Sequence, residues 1–141
     1  MSDKLNPEGF YTMKGYASMG AGTLTSSMED YLEMMYRFYK NNETIRIKNL
    51  SAALHVKPSS ASKMAVALKK QGLIQYERYG QITLTGEGKK LGVYLLFRHD
   101  VLHRFLCHIN NSKNELFQVE KIEHFLNEET VNNIAKFLGG K

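Results

Sequence analysis

Residues 56–60, Val-Lys-Pro-Ser-Ser, separate two short apolar-periodic segments, and this break constrains the fold more than any other stretch. Proline has a fixed φ and no amide N–H, so Pro58 suits the start of a helix and forbids one running through it. Before it, Ile47 to His55 places Leu50, Ala53 and Leu54 on one side. After it, a helical pattern runs to about Gln71, where Gly72 supplies a C-terminal stop. There Met64, Ala65 and Leu68 can pack inward while Ser60, Ser62, Lys63, Lys69 and Lys70 stay outside. Leu73–Tyr76 and Gln81–Thr85 then read as strands joined by a turn at Arg78-Tyr79-Gly80. Two helices across a tight turn, followed by a hairpin, make a winged helix-turn-helix. In that architecture the second helix lies in the major groove of DNA.

The flanks read as helical. Tyr31, Met34, Met35, Phe38 and Tyr39 recur at helical spacing up to Lys40, with Ser26 or Ser27 as cap and Glu29 and Asp30 in the first turn. A long helix is expected from about Gly86 to Ile109, its stripe of Leu91, Leu95, Leu102, Phe105 and Leu106 suited to burial against another helix or a second subunit. Ser112-x-x-Glu115 reads as a capping box, and Asn127 as the cap of a last helix through about Leu138. Residues 1–23 hold four glycines, one proline and no periodicity, and are expected to form a flexible extension.

Charge singles out the same middle third. Residues 44–92 carry nine basic side chains against two acidic ones, while 93–141 are balanced and 1–43 slightly acidic. A phosphate backbone is the natural partner of such a segment. The expected DNA contacts are Lys57, Ser59, Ser60, Ser62, Lys63, Lys69 and Arg78. No apolar run approaches the roughly 18 residues of a membrane span, and the lone Cys107 excludes an internal disulfide. The expectation is a cytoplasmic protein with no membrane partner.

Glu120, Glu123 and His124 stand at i, i+3 and i+4, and Asp30 and Glu33 at i and i+3, so each set shares a helix face. Converging carboxylates repel one another unless positive charge lies among them. Carboxylate oxygen with imidazole nitrogen suits manganese, iron, cobalt or zinc. The plainer alternative is a solvated acidic face, and His99 taken singly is an ordinary surface histidine.

The stretches Ser27-Met28-Glu29-Asp30-Tyr31-Leu32-Glu33, Pro58-Ser59-Ser60-Ala61-Ser62-Lys63-Met64, Leu84-Thr85 with Gly88-Lys89-Lys90, Arg98-His99, and Val119-Glu120-x-Ile122-Glu123-His124 together resemble the DtxR/MntR metalloregulator family over roughly residues 24–138. The likeness is greatest to its manganese-responsive branch. It implies a mainly α chain: a winged helix-turn-helix DNA-binding domain over 24–92, then an all-helical dimerisation and metal-binding domain over 93–141. It also implies Asp30, Glu33, His99, Glu120, Glu123 and His124 as ligands for two Mn(II) ions per chain. Iron-responsive relatives usually carry Met in place of Asp30 and Cys in place of Glu123; Fe(II) is the alternative ion. Four carboxylates bring −4 against +4 from two divalent ions.

The expected protein is a homodimeric, non-enzymatic repressor of metal-uptake genes, with metal as co-repressor and a palindromic operator as target. His103 stands where iron regulators place a Glu of an accessory site, and Cys107 is expected to pack rather than ligate. The chain stops near Lys141, so a dimer-supporting helix is expected to be shorter than in some relatives. A carboxylate-bridged di-metal enzyme would use paired Glu-x-x-His motifs. Here the third residue after Glu120 is Glu123, and after Glu123 it is Leu126.

Overall fold

The computed structural model describes residues 24–139; the extension expected over 1–23 lies outside them. Helix α1 spans Ser26–Lys40. Its cap is Thr25, not Ser26 or Ser27: Thr25 has the extended backbone a cap needs, and its Oγ1 accepts the Met28 amide at 3.1 Å. Its inner face is Tyr31, Leu32 and Met35, with Leu32 at the centre, whereas Tyr39 is exposed beneath the Lys89 ammonium.

Helix α2 (Ile47–Leu54) ends at His55 in the left-handed conformation, and α3 (Pro58–Lys70) begins on Pro58 as expected. Gly72 follows with φ +78, the conformation that closes a helix. Strands β1 (Ile74–Tyr76) and β2 (Ile82–Leu84) pair antiparallel, with Gln75 opposite Thr83. Ile74, Tyr76, Ile82 and Leu84 face inward in strict alternation. Leu50, Ala61, Ala65, Leu68, Ile74 and Ile82 close over α1 as the first core, to which Met64 adds only a partly buried side chain.

Helix α4 (Gly86–Asn110) is joined tightly to the wing. The Thr85 hydroxyl donates to the Gly72 carbonyl at 2.7 Å and accepts the Gly88 amide at 3.1 Å. Gly88 has no room for a side chain, since a Cβ there would lie 2.0 Å from the Leu73 carbonyl oxygen. Leu95 of α4 enters the first core, while Leu102 and Leu106 enter a second with Val119. The division drawn at 92/93 therefore falls within one unbroken helix.

Helix α5 (Leu116–Ile122) does not start on a capping box. The Ser112 hydroxyl donates to the Glu115 carboxylate, and Asn114 Oδ1 receives the Leu116 amide at 2.9 Å instead. A 3-10 turn, Glu123–Phe125, follows α5 at once. Helix α6 (Glu128–Gly139) begins as expected, with Asn127 Oδ1 accepting the Thr130 amide at 2.8 Å.

Candidate metal centre

Three elements converge where α1 crosses α4: α1 brings Glu29, Asp30 and Glu33, α4 brings Arg98 and His99, and α5 with its 3-10 turn brings Glu120, Glu123 and His124. Sequence spacing put the last three on one helix face, but the α-helix ends at Ile122. The tighter turn carries Glu123 to complete burial while Glu120 stays half-exposed. Glu33 is also buried, so the polar side of α1 faces this site rather than forming a solvated acidic face.

The six expected residues fall into two adjoining donor groups. Asp30, Glu120, Glu123 and His124 form one; Glu33, His99 and Glu123 form the other, with donor atoms within 4.8 Å of one another in each. Glu123 belongs to both. His99 Nδ1 lies 3.3 Å from Glu123 Oε1 and 3.9 Å from both Glu33 and Glu120. His124 Nε2 lies 2.8 Å from Asp30 Oδ1 but off any hydrogen-bond direction.

Burial and mutual charge shape the ionisation. Burial above all, then the Glu123 carboxylate, pushes Glu120 up to about 7. Burial likewise raises Glu33 despite its 2.8 Å pair with Arg37. For Glu123 burial acts upward, yet hydrogen bonds from His99 and Glu120 leave the carboxyl below its ordinary range. His99 is raised chiefly by its bond to Glu123. His124 is pushed up to about 10, first by the Asp30 carboxylate 2.8 Å from its Nε2 and then by its bond to Glu29 at Nδ1.

These residues fit a divalent cation. Glu123 Oε2 and His124 Nε2 are both buried without a hydrogen-bond partner, and both belong to the first donor group. Leaving a buried carboxylate oxygen unpaired is costly, and a cation between the two would satisfy both. All donors are oxygen or nitrogen, which suits manganese, iron, cobalt or zinc.

Glu29 and Arg98 are the residues that sequence reasoning missed at this site. Arg98 is almost wholly buried and donates through Nη2 to Glu29 Oε1 at 3.1 Å. The same oxygen lies 2.8 Å from His124 Nδ1. Only the packing of α1 on α4 and of the 3-10 turn against both brings these partners together. His103 and Cys107 stand outside both donor groups; His103 Nε2 accepts the Glu115 amide at 3.2 Å and lies 3.6 Å from Cys107 Sγ.

Away from this centre, Ser59, Ser62, Lys63, Lys69 and Arg78 line one groove between α3 and the wing. Lys57 and Ser60 are exposed beside Pro58 at the start of α3. Lys69 is engaged within the chain, donating to the Tyr76 carbonyl at 3.0 Å and pairing with Glu77. Arg78 stacks on Tyr79, which is 85% exposed at the wing tip with φ 64. No described helix is long and apolar enough to cross a membrane.

Two family models match successive parts of the chain. The iron dependent repressor N-terminal DNA binding domain covers residues 23–82. The iron dependent repressor metal binding and dimerisation domain covers residues 85–140. The chain is 40% identical over 112 residues to an HTH-type transcriptional regulator MntR of Lysinibacillus sphaericus (strain C3-41), covering 79% of this chain and 81% of the relative. A second MntR, from Oceanobacillus iheyensis, is also 40% identical, with 79% and 76% covered. The solved structure of the manganese regulator SloR is similar at TM-score 0.71 and 25% identity, over 82% of this chain and 55% of that one, so the present chain spans about half its length. The two matched domains and these relatives carry one conclusion: the chain belongs to the iron dependent repressor family, whose members join a DNA-binding domain to a metal-binding dimerisation domain.

Proposed function

We propose that this protein is a cytoplasmic, homodimeric transcriptional repressor that senses Mn(II) as co-repressor and silences metal-uptake genes. The observation that carries the reading is the buried Glu123, whose carboxylate is shared by two donor groups made only of oxygen and nitrogen. Hard carboxylates in place of sulfur favour manganese over softer ions, although affinity alone would rank Mn(II) below later metals. The relatives named MntR and the manganese regulator SloR support the same ion. Two ions per chain match the −4 of Asp30, Glu33, Glu120 and Glu123.

When bound, the cations supply the positive charge that lets four carboxylates share one site. Asp30 and Glu33 then draw α1 toward α4 and the 3-10 turn, while His99, Glu123 and His124 hold the helical half. Since α1 also packs under the winged helix, this closure fixes α3 relative to the dimerising half. Ser59, Ser60, Ser62 and Lys63 of α3 face the major groove, with Lys57 and Arg78 beside it on phosphate; Lys69 steadies the wing. A dimer reads palindromic half-sites about one helical turn apart, so the spacing of its two α3 helices decides affinity. Such control is a population shift toward the DNA-competent arrangement.

The test is binding of the full chain to operator DNA with and without Mn(II), alongside Fe(II) under anaerobic conditions. Tighter binding with Mn(II) is expected; equal affinity in its presence and absence would overturn the reading. Repression by Fe(II) alone would assign the site to iron, the ion in the family's description.

A further inference from the structure

We infer that Glu29, which belongs to neither donor group, is a positioning residue that makes Nε2 of His124, rather than Nδ1, the nitrogen offered to a cation. The inference rests on the metal-binding reading above. An imidazole has two nitrogens, and an outer hydrogen bond to one decides which is free to ligate. Two groups compete for His124 Nδ1. Glu29 Oε1 stands 2.8 Å away and can accept its proton; Arg98 Nη2 stands 3.2 Å away and can only donate to it. The outcomes are opposite. Once the ring gives up one proton to admit a cation, the proton kept on Nδ1 by Glu29 leaves Nε2 bare toward Asp30 and Glu123. A bare Nδ1 accepting from Arg98 would leave the neutral ring's proton on Nε2 and close it to a cation.

Glu29 settles the contest through one atom. Its Oε1 accepts from Arg98 Nη2 at 3.1 Å as well as from His124, so the guanidinium has a carboxylate to donate to in place of the ring nitrogen 3.2 Å away. The pair is also neutral as a unit. A buried arginine left without this counterion would set positive charge against the cation; with Glu29 it adds none, and the −4 of the four ligand carboxylates is preserved. The side chains come from positions 95 residues apart in the sequence, and all are largely buried. That rigidity suits an outer group that must hold a ring in one orientation.

The experiment titrates Co(II) into the full chain and its Glu29→Ala, Glu29→Gln and Glu29→Ala/Arg98→Met variants. It also records the hyperfine-shifted, exchangeable ring N–H signals of the bound histidines. Thermal unfolding of each metal-free variant verifies folding, and the near-isosteric Glu29→Gln keeps the question answerable if the alanine variant fails to fold. Glu29→Ala should weaken Co(II) binding by about 10–100-fold and lose the slowly exchanging His124 signal. Glu29→Gln retains an oxygen acceptor but not the charge that neutralises Arg98, so it should keep the signal and lose less affinity than the alanine variant. Removing Arg98 as well should recover part of what the alanine variant loses. Wild-type affinity in Glu29→Ala would overturn the inference. So would equal weakening in the alanine and glutamine variants, which would reduce the role of Glu29 to bare charge. Failure of the wild-type chain itself to bind Co(II) would sink the metal reading, and this inference with it.

Discussion

His124 and Glu120 set the pH response of the metal-free protein. Both have folded-state values above their ordinary ones, His124 at about 10 from 6.5 and Glu120 at about 7 from 4.5. A group raised on folding stabilises the fold fully below its ordinary value and loses that contribution as pH climbs through its folded value. Metal-free protein should therefore lose thermal stability as pH rises between about 4.5 and 10, first through Glu120 and then through His124. Glu29 and Glu123 are lowered, so their contribution is lost only as pH falls below the ordinary carboxylate range. Mn(II) affinity should move the other way and rise with pH, because both residues must shed their protons to ligate. Melting curves and Mn(II) titrations over this range check both signs; a metal-free protein steadily more stable toward pH 10 would refute the assignment. Asp30, Glu33, Glu120 and His124 could be picked out of the sequence because their spacing is local. Glu29 and Arg98 could not, since each gains its meaning from a partner on another element.

Among the elements, α3 and the wing were legible because Pro58, Gly72 and the alternation of Ile74, Tyr76, Ile82 and Leu84 are strong local signals. The end of α5 was not. The 3-10 turn arises where the chain must redirect into α6, and the i, i+3, i+4 pattern continues across it unchanged. Ser112 misled for a related reason: its hydroxyl found the Glu115 side chain rather than a helix amide. The groove at α3 supplies the prediction at this scale. Lys63 is exposed, with no ion pair among the described residues, so Lys63→Ala should lower the slope of log affinity against log salt by about one. An unaltered slope would remove it from the phosphate contacts. Lys69→Ala should instead loosen the wing, because its ammonium bridges α3 to Tyr76 and Glu77.

At the scale of the molecule, α4 is the common member. Its first half packs on α1 and the winged helix and its second half on α5 and α6, with no break between. The two regions matched by separate family models should accordingly unfold together in the monomer unit. Metal-free unfolding followed by far-ultraviolet circular dichroism and by tyrosine fluorescence should give coincident curves; two separated transitions would show that the cores stand independently. The hydrophobic pattern foretold the helix, but not that its Leu95 and Leu102 serve different cores.

Because Glu123 belongs to both donor groups, neither can change its state without altering the other. In the proposed two-ion setting, a detector wired through one shared carboxylate responds to two occupancies jointly rather than to either alone. Where the first ion orders Glu123 for the second, the dose–response curve is steeper than simple saturation, and the output resembles a threshold more than a dial. In the proposed setting, gene expression would switch over a narrow band of free metal concentration, with small fluctuations below that band filtered out.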